Sequence, residues 1–489
     1  MSKISFFGKR SAPLRAQRWA TLPMLTAVAL LLSACATGAP PRPAETSLPN
    51  AYDRAGVATD VAVLDQWWTL YEDPQLTDLV TRALAQGFSV REAQARLAES
   101  QALRSASLAE FGPQGNPQGD AGSRNTRNIG DSTNNAATPA GVSRSANLSL
   151  QVSWELDFFG RRSATERLAQ ADIASARFDV ESARAAIAAE VARTLFQTRG
   201  LKVQRDEGLE TLRIQRELFG AVTERARRGL SASSEADRVA ADLAQTEAQV
   251  EDLGAALTAS RRALLVVTGD GTRALGEDEV LAALGAVPAV PSAMPSDLLA
   301  RRPDVRTAEA RMQRSASSVQ LAELAFFPRF TLNPGAGLSA QRGAVDSTTG
   351  FWSLAAGLTV PILDRPRLQA QLNAEGSRAE QSVLTYERTV QTAFSEADQS
   401  LTRLQADRRR VTTLTAGEAR ARAGYAAAQK RYELGFADLQ ELLDAERAWR
   451  ATRSALTAAR LDALQRSVQV FQALGGGWNA SAQNANPQS

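Results

Sequence analysis

The stretch from Asn147 to about Arg228 constrains this chain most. Leu148, Leu150, Val152, Trp154 and Leu156 alternate with Asn147, Ser149, Gln151, Ser153 and Glu155. A period of two predicts a strand with one apolar and one polar face. Phe158-Phe159-Gly160 breaks that pattern. From Arg161 to Arg228 the chain is rich in Ala, Glu and Arg and contains no proline. That predicts one continuous helix, roughly 100 Å long at 1.5 Å per residue. A helix of that length is stabilised mainly by packing, so it requires long neighbours.

Composition narrows the chemistry. Histidine is absent and there is a single cysteine. Ser-His-Asp and Cys-His catalysis are therefore excluded, as are zinc sites built on His or Cys. No Gly-Lys-Ser/Thr phosphate loop occurs, and no carboxylate pair stands apart from the helical charge pattern. Neither catalysis nor a cofactor or metal is expected. The formal charge is +3, but Lys3, Lys9, Arg10, Arg15 and Arg18 all fall within residues 1–34, which hold no acid. The remainder is slightly acidic, so no nucleic-acid partner is expected.

Residues 1–34 combine this basic start with an apolar run from about Leu22 to Leu32. The run is too short to span a bilayer comfortably and reads as a cleaved secretory signal. It ends in Leu32-Ser33-Ala34-Cys35, similar to the bacterial lipoprotein motif in which the cysteine becomes the acylated N-terminus. Ala36 rather than Asp follows, which by the same resemblance implies sorting to the outer membrane. Residues 35–74 are expected to form a lipidated N-terminal tether, rich in Pro and Ala over 36–62. A helix is expected from Gln75 to about Phe111, with Asp73 as N-cap and Pro74 at its first turn. The Gly-, Asn- and Ser-rich segment from Pro113 to Arg144 must hold a partner strand and a loop. A shorter helix is expected over Ser231–Thr268, and a Pro-rich connection over 269–295.

The chain then repeats itself. Val90-Arg-Glu-Ala-Gln-Ala-Arg96 matches Val305-Arg-Thr-Ala-Glu-Ala-Arg311, 215 residues on. Leu148, Arg161, Gly229 and Glu235 match Leu354, Arg367, Gly435 and Glu441, all 206 residues on. The first repeat covers 75–268 and the second 296–473, followed by a tail over 474–489. The second copy is expected to contain strands at Arg329–Gln341 and Gly350–Leu363. They precede a long helix over Arg365–Leu434 and a shorter one over Ala437–Phe471. In each repeat the short helices, placed end to end, would match the long one in length.

The predicted class is mainly α with transmembrane β: four strands and long coiled-coil helices per chain. Each strand is long enough to cross a bilayer on a tilt. Open sheet edges cannot stand in hydrocarbon, and the smallest barrels have about eight strands. Three copies would close twelve strands into a barrel on an α-helical tunnel.

Several motifs carry a family resemblance. They are Leu-Ser-Ala-Cys35, Trp67-Trp68 with Asp73-Pro74, Ser153-Trp-Glu-Leu-Asp157 with Phe159-Gly160-Arg161, and Arg301-Arg-Pro-Asp-Val305. The others are Tyr432-Glu-Leu-Gly435 with Leu442-Leu-Asp-Ala445, and Leu474-Gly-Gly-Gly-Trp478. Together they resemble the TolC superfamily, in its NodT-type branch of outer-membrane efflux lipoproteins, over nearly all of residues 35–478. The resemblance implies a homotrimer working with a periplasmic membrane-fusion adapter and an inner-membrane pump, often of the resistance-nodulation-division type. It implies a passive conduit, embedded in outer-membrane lipid, that carries drugs or other small molecules outward.

It also implies where function sits. The turns Arg228-Gly229-Leu230-Ser231 and Leu434-Gly435-Phe436-Ala437 match the tips that meet the adapter's helical hairpins. Asp444, with Arg447 nearby, matches the acidic ring that closes the periplasmic mouth. The family often has an apolar residue four before that Asp, where this chain has Gln440. Two other readings remain open: the channel of a type I protein secretion system, and a structural coiled-coil lipoprotein of the envelope.

Overall fold

A computed structural model describes residues 44, 48–49, 61–127, 141–275, 283–290, 301–343 and 346–478. Cys35, the signal segment and most of the tether lie outside the described residues. The chain divides into two compact units. One comprises the described residues of Glu110–Ala164 and Ser318–Arg378. The other comprises those of Arg42–Ala109, Thr165–Ser317 and Ala379–Ser489.

The first unit is built on a four-stranded antiparallel sheet in the order β1 (Gln114–Thr126), β2 (Gly141–Leu156), β3 (Arg329–Arg342), β4 (Ser347–Thr359). The pairings Leu148↔Leu338, Leu150↔Ala336 and Trp154↔Leu332 place the predicted apolar rows of β2 and β3 on one face. Leu354, Trp352 and Leu358 continue that face on β4. It is open: Trp352 is 82 % exposed and Leu354 63 %. The opposite face is polar, where Asn147 donates to Asp120 and accepts from the Ser339 hydroxyl. Among the described residues, β1 and β4 each have a free edge.

Strand limits differ from expectation: β3 runs one residue further, to Arg342, β4 begins at Ser347 rather than Gly350, and two larger differences have a physical reason. β2 begins at Gly141, six residues before the apolar alternation, because main-chain pairing to β1 extends through Thr126↔Gly141 whatever the side chains. β4 ends at Thr359 rather than Leu363, just short of Pro361, which has no N–H to donate.

The second unit is helical. Asp73 caps α1 (Pro74–Gln86), its carboxylate accepting from the N–H groups of Gln75 and Leu76. The single first helix expected to Phe111 is two helices, α1 and α2 (Phe88–Ala109). Gly87 divides them with extended backbone, and a Cβ there would lie 2.2 Å from Ile187 Cδ1. The long helices are α3 (Arg161–Arg227) and α6 (Arg365–Glu433), of 67 and 69 residues. They are paired in sequence with α4 (Ser233–Val267) and α7 (Leu439–Ala473). α5 covers Pro303–Leu324. α7 starts at Leu439 rather than Ala437 because Asp438 caps it, accepting from the Glu441 N–H at 2.8 Å.

The main core gathers motifs that are far apart in sequence. A 3-10 helix over Val61–Tyr71 buries Trp67 against Phe471, with ring centroids 5.3 Å apart and planes stacked. The Gly-Gly-Gly-Trp478 tail lies against it: Gly477 N–H donates to Leu64 O, and Trp478 Nε1 donates to Arg301 O. Arg301 pairs with Asp65, and Arg302 with Asp304 and Glu396. Among the described residues no helix is long and apolar enough to cross a membrane. A row of exposed apolar side chains lies on the sheet, and others lie at the helical turns.

Candidate functional site

Two candidate regions occupy the helical unit, and both lie where α3–α4 and α6–α7 reverse direction. The turns are built alike. After α3, Gly229 N–H donates to Ala226 O and Leu230 N–H to Arg225 O. After α6, Gly435 N–H donates to Tyr432 O and Phe436 N–H to Arg431 O. These are paired Schellman closures, which need a left-handed residue at the helix end. Gly229 has φ +73° and Gly435 φ +78°. Nothing lies within 4 Å of a Cβ built at either position, so backbone conformation alone requires glycine.

The closures set apolar side chains outward. Leu230, Leu434 and Phe436 are exposed, Phe436 by 74 %. Arg228 pairs with Glu224, while Ser231 and Ala437 are half-buried at the starts of the return segments. Beneath them Val222 of α3, Val239 of α4 and Leu439 and Leu443 of α7 form a small core, with Tyr432 of α6 packed against it. Arg225 lies over the Tyr432 ring at 5.5 Å and ties one turn to the other. The pattern is a rigid base carrying greasy tips, which suits a protein contact.

The second region is a polar cluster between α4 and α7. Gln440 donates to Asp444 Oδ2 at 2.9 Å and accepts from Arg238. Arg447 does not act mainly on Asp444. Its guanidinium pairs with Asp242 at 2.7 Å and approaches Asp444 only at 3.8 Å. Spacing on one helix suggested the Asp444 pairing; the stronger partner comes from another helix, 205 residues away. Asp444 is left largely open. Two residues after Asp444, Glu446 is 4 % exposed, its Oε2 has no hydrogen-bond partner, and Arg450 reaches the other oxygen only at 3.7 Å. Burial pushes the Glu446 carboxyl above its ordinary value, and Asp242 adds to this against the opposing Arg450 and Arg447. The sequence reading missed Asp242, Arg238 and Glu446. Their only signal was a polar residue on an otherwise packed helix face, which helical charge patterns hide.

Comparison with known proteins places this architecture. Residues 79–270 and 294–476 match the outer membrane efflux protein family, one segment in each repeat. The chain belongs to that family. A relative in Pseudomonas aeruginosa, the pyoverdine export outer membrane protein OpmQ, is 28 % identical over 94 % of this chain and 97 % of its own. The toluene efflux pump outer membrane protein TtgI of Pseudomonas putida is 28 % identical over 91 % of this chain and 94 % of its own. The solved outer-membrane channel OprN superposes with a TM-score of 0.77 at 26 % identity, over 91 % of this chain and 99 % of that one. The open state of the Neisseria gonorrhoeae MtrE channel shares the fold, with a TM-score of 0.76 at 22 % identity over 91 % and 98 %. This family member is an outer-membrane efflux protein, with the predicted mainly helical fold and membrane sheet.

Proposed function

We propose that three copies of this chain form the outer-membrane channel of a tripartite efflux system. The channel would be a passive conduit fed by a periplasmic membrane-fusion adapter and an inner-membrane pump of the resistance-nodulation-division type. The observation that carries the reading is the sheet. Four strands present one apolar face, one polar face and two free edges. Unpaired edges are excluded from hydrocarbon, so the sheet must be completed by other copies. Pairing β4 of one copy with β1 of the next gives twelve strands, with the polar face lining a wet lumen.

The adapter would meet the tips at Arg228–Ser231 and Leu434–Ala437. The resting mouth would close where three Asp444 carboxylates approach one axis, with Gln440, Arg447 and Asp242 bracing them. Three acidic groups at close range attract cations and repel anions. Acylation at Cys35 would add a lipid anchor to a protein already held by its barrel. Relatives named for toluene and pyoverdine favour small-molecule cargo over protein export.

Cysteines introduced on the β1 and β4 edges test closure. They should crosslink between copies in outer membranes and give a trimeric ladder, while the purified protein should form pores in planar bilayers. A monomer that stays in the aqueous phase would overturn the reading.

A further inference from the structure

Near the end of the sheet's apolar face stands an unusual pair, with only Val142 one rung beyond it on β2. Arg144 on β2 stands directly opposite Arg342 on β3. Both follow the parity of the apolar row: Leu148↔Leu338, then Ala146↔Ala340, then Arg144↔Arg342. Residues so paired have Cβ atoms about 4.5–5.5 Å apart, and like charges at that distance are destabilising. Both side chains are exposed. Among the described residues neither has a carboxylate partner. Asp346, at the same end, is occupied in the β3–β4 turn, accepting from the Gly343 N–H at 3.0 Å. Arg127 follows the end of β1, and Arg124 belongs to the opposite, polar face.

Depth gives the pair its meaning. The apolar row on β2 runs from Leu156 to Ala146. At about 3.3 Å per residue and a tilt near 40° it rises about 25 Å, the height of an outer-membrane barrel's apolar band. Arg144 and Arg342 stand one rung further, about 5 Å beyond hydrocarbon, at headgroup level. They lie at the hairpin end of the sheet, since the opposite ends of all four strands lead to helices. In an outer-membrane channel whose helices face the periplasm, that end faces the outside. β2 and β3 are also the central strands, so closure through the β1 and β4 edges leaves the pair uncovered.

We propose that Arg144 and Arg342 form a site for the phosphate of an anionic glycolipid in the outer leaflet. Two guanidinium forks converging on one phosphate make charge-assisted, bidentate bonds and relieve the repulsion between them. The acyl chains of the same lipid then lie along the Leu148–Leu338 and Leu150–Ala336 rungs. The site rests on the barrel reading of the sheet.

The test uses purified full-length protein with added phosphorylated lipid A, dephosphorylated lipid A of the same acyl composition, or inorganic phosphate. Bound lipid is counted by native mass spectrometry. The wild type should retain phosphorylated lipid A at least tenfold more tightly than the R144S/R342S double variant or a double Arg→Lys variant, which lacks the fork. Arg124→Ser should match the wild type, and dephosphorylated lipid A should bind the wild type as weakly as phosphorylated lipid A binds the double variant. Equal retention by the double Ser variant would overturn the site. Competition by millimolar inorganic phosphate as effective as by lipid A would overturn the lipid as its ligand. Pore formation by each variant in planar bilayers separates the two readings. Pores with undiminished lipid A in the double variant remove this site alone, whereas a wild type without pores removes the barrel and the site together.

Discussion

Arg447 on α7 is held 2.7 Å from Asp242 on α4, closer than to Asp444 on its own helix. The pair is partly exposed, so its contribution to stability is small, about 0–1 kcal/mol. What it fixes is the position of α7 against α4, and through Gln440 and Arg238 the position of Asp444. Asp242→Asn should leave the melting temperature within about 2 °C and raise single-channel conductance in planar bilayers. Asp444→Ala should raise it further while weakening cation preference. Unchanged conductance in both variants would remove the cluster from the gate.

Glu446 makes the same region sensitive to pH. Its carboxyl is raised above 4.5, first by burial and then by Asp242. For an acid raised on folding, the stabilising contribution is complete below the unfolded value near 4.3 and is lost as pH rises through the folded value. The helical unit should therefore lose stability over a window that opens near pH 4.5 and extends upward. Glu446→Gln should flatten that part of the profile and be the more stable form at pH 7. Thermal unfolding followed from pH 4 to 8 reads both.

Much of this was legible in the sequence, for physical reasons. The apolar rows of β2, β3 and β4 alternate because one face meets lipid and the other water. The repeat showed through because turn glycines at positive φ tolerate few substitutes. β1 hid itself: its residues on the apolar face are Gly115, Pro117, Gly119 and Ala121, opposite Val152, Leu150, Leu148 and Ala146. Small residues there leave room for large neighbours but give no hydropathy signal. The break at Gly87 was equally hidden: its backbone is extended, and the space a side chain would need there is taken by Ile187, a hundred residues away. The Arg447–Asp242 pair joins the two repeats, and spacing within one helix cannot reveal it.

At the start of α1, Arg199 is 3 % exposed and Asp73 11 %. Asp73 Oδ1 also takes the cap N–H bonds of Gln75 and Leu76. Burial alone would raise the Asp73 carboxyl, but Arg199 and the cap bonds outweigh it and hold it below 3.8. An acid lowered on folding contributes stability that is present above its unfolded value and lost as pH falls through the folded one. That loss falls below about pH 4. Asp73→Ala removes cap and counter-charge together and leaves a buried guanidinium, so it should cost about 3–5 kcal/mol. Asp73→Asn keeps an acceptor for the cap and should cost less. Chemical denaturation of the two variants checks the order.

The proposed acylation at Cys35 and the sheet would be separate means of membrane attachment. The apolar face of the sheet contains Leu148, Leu338, Trp352 and Leu354, all exposed. Burying such side chains in lipid contributes about 1.5–3 kcal/mol each. A Cys35→Ser variant routed by an ordinary secretory signal should therefore lose metabolic labelling with palmitate yet stay in the membrane pellet after alkaline extraction. Release into the supernatant would mean that the acyl chains, not the sheet, hold the protein.

The tips allow docking to be tested apart from folding. An L-residue in the left-handed region costs about 1–2 kcal/mol, but Asn adopts it readily. Because a Cβ at Gly229 or Gly435 would meet nothing within 4 Å, the penalty is conformational and not steric. Gly229→Asn/Gly435→Asn should keep the Schellman closures and the melting temperature, whereas Gly229→Val/Gly435→Val should lower stability by a few kcal/mol. Leu230→Ser/Phe436→Ser leaves the backbone alone and removes only exposed apolar surface. That variant should fold, trimerise and conduct as wild type, yet lose crosslinking to the adapter and the resistance the pump confers. Resistance retained by the Ser pair and lost by the Val pair would assign the tips to closing the helical hairpins, not to holding a partner.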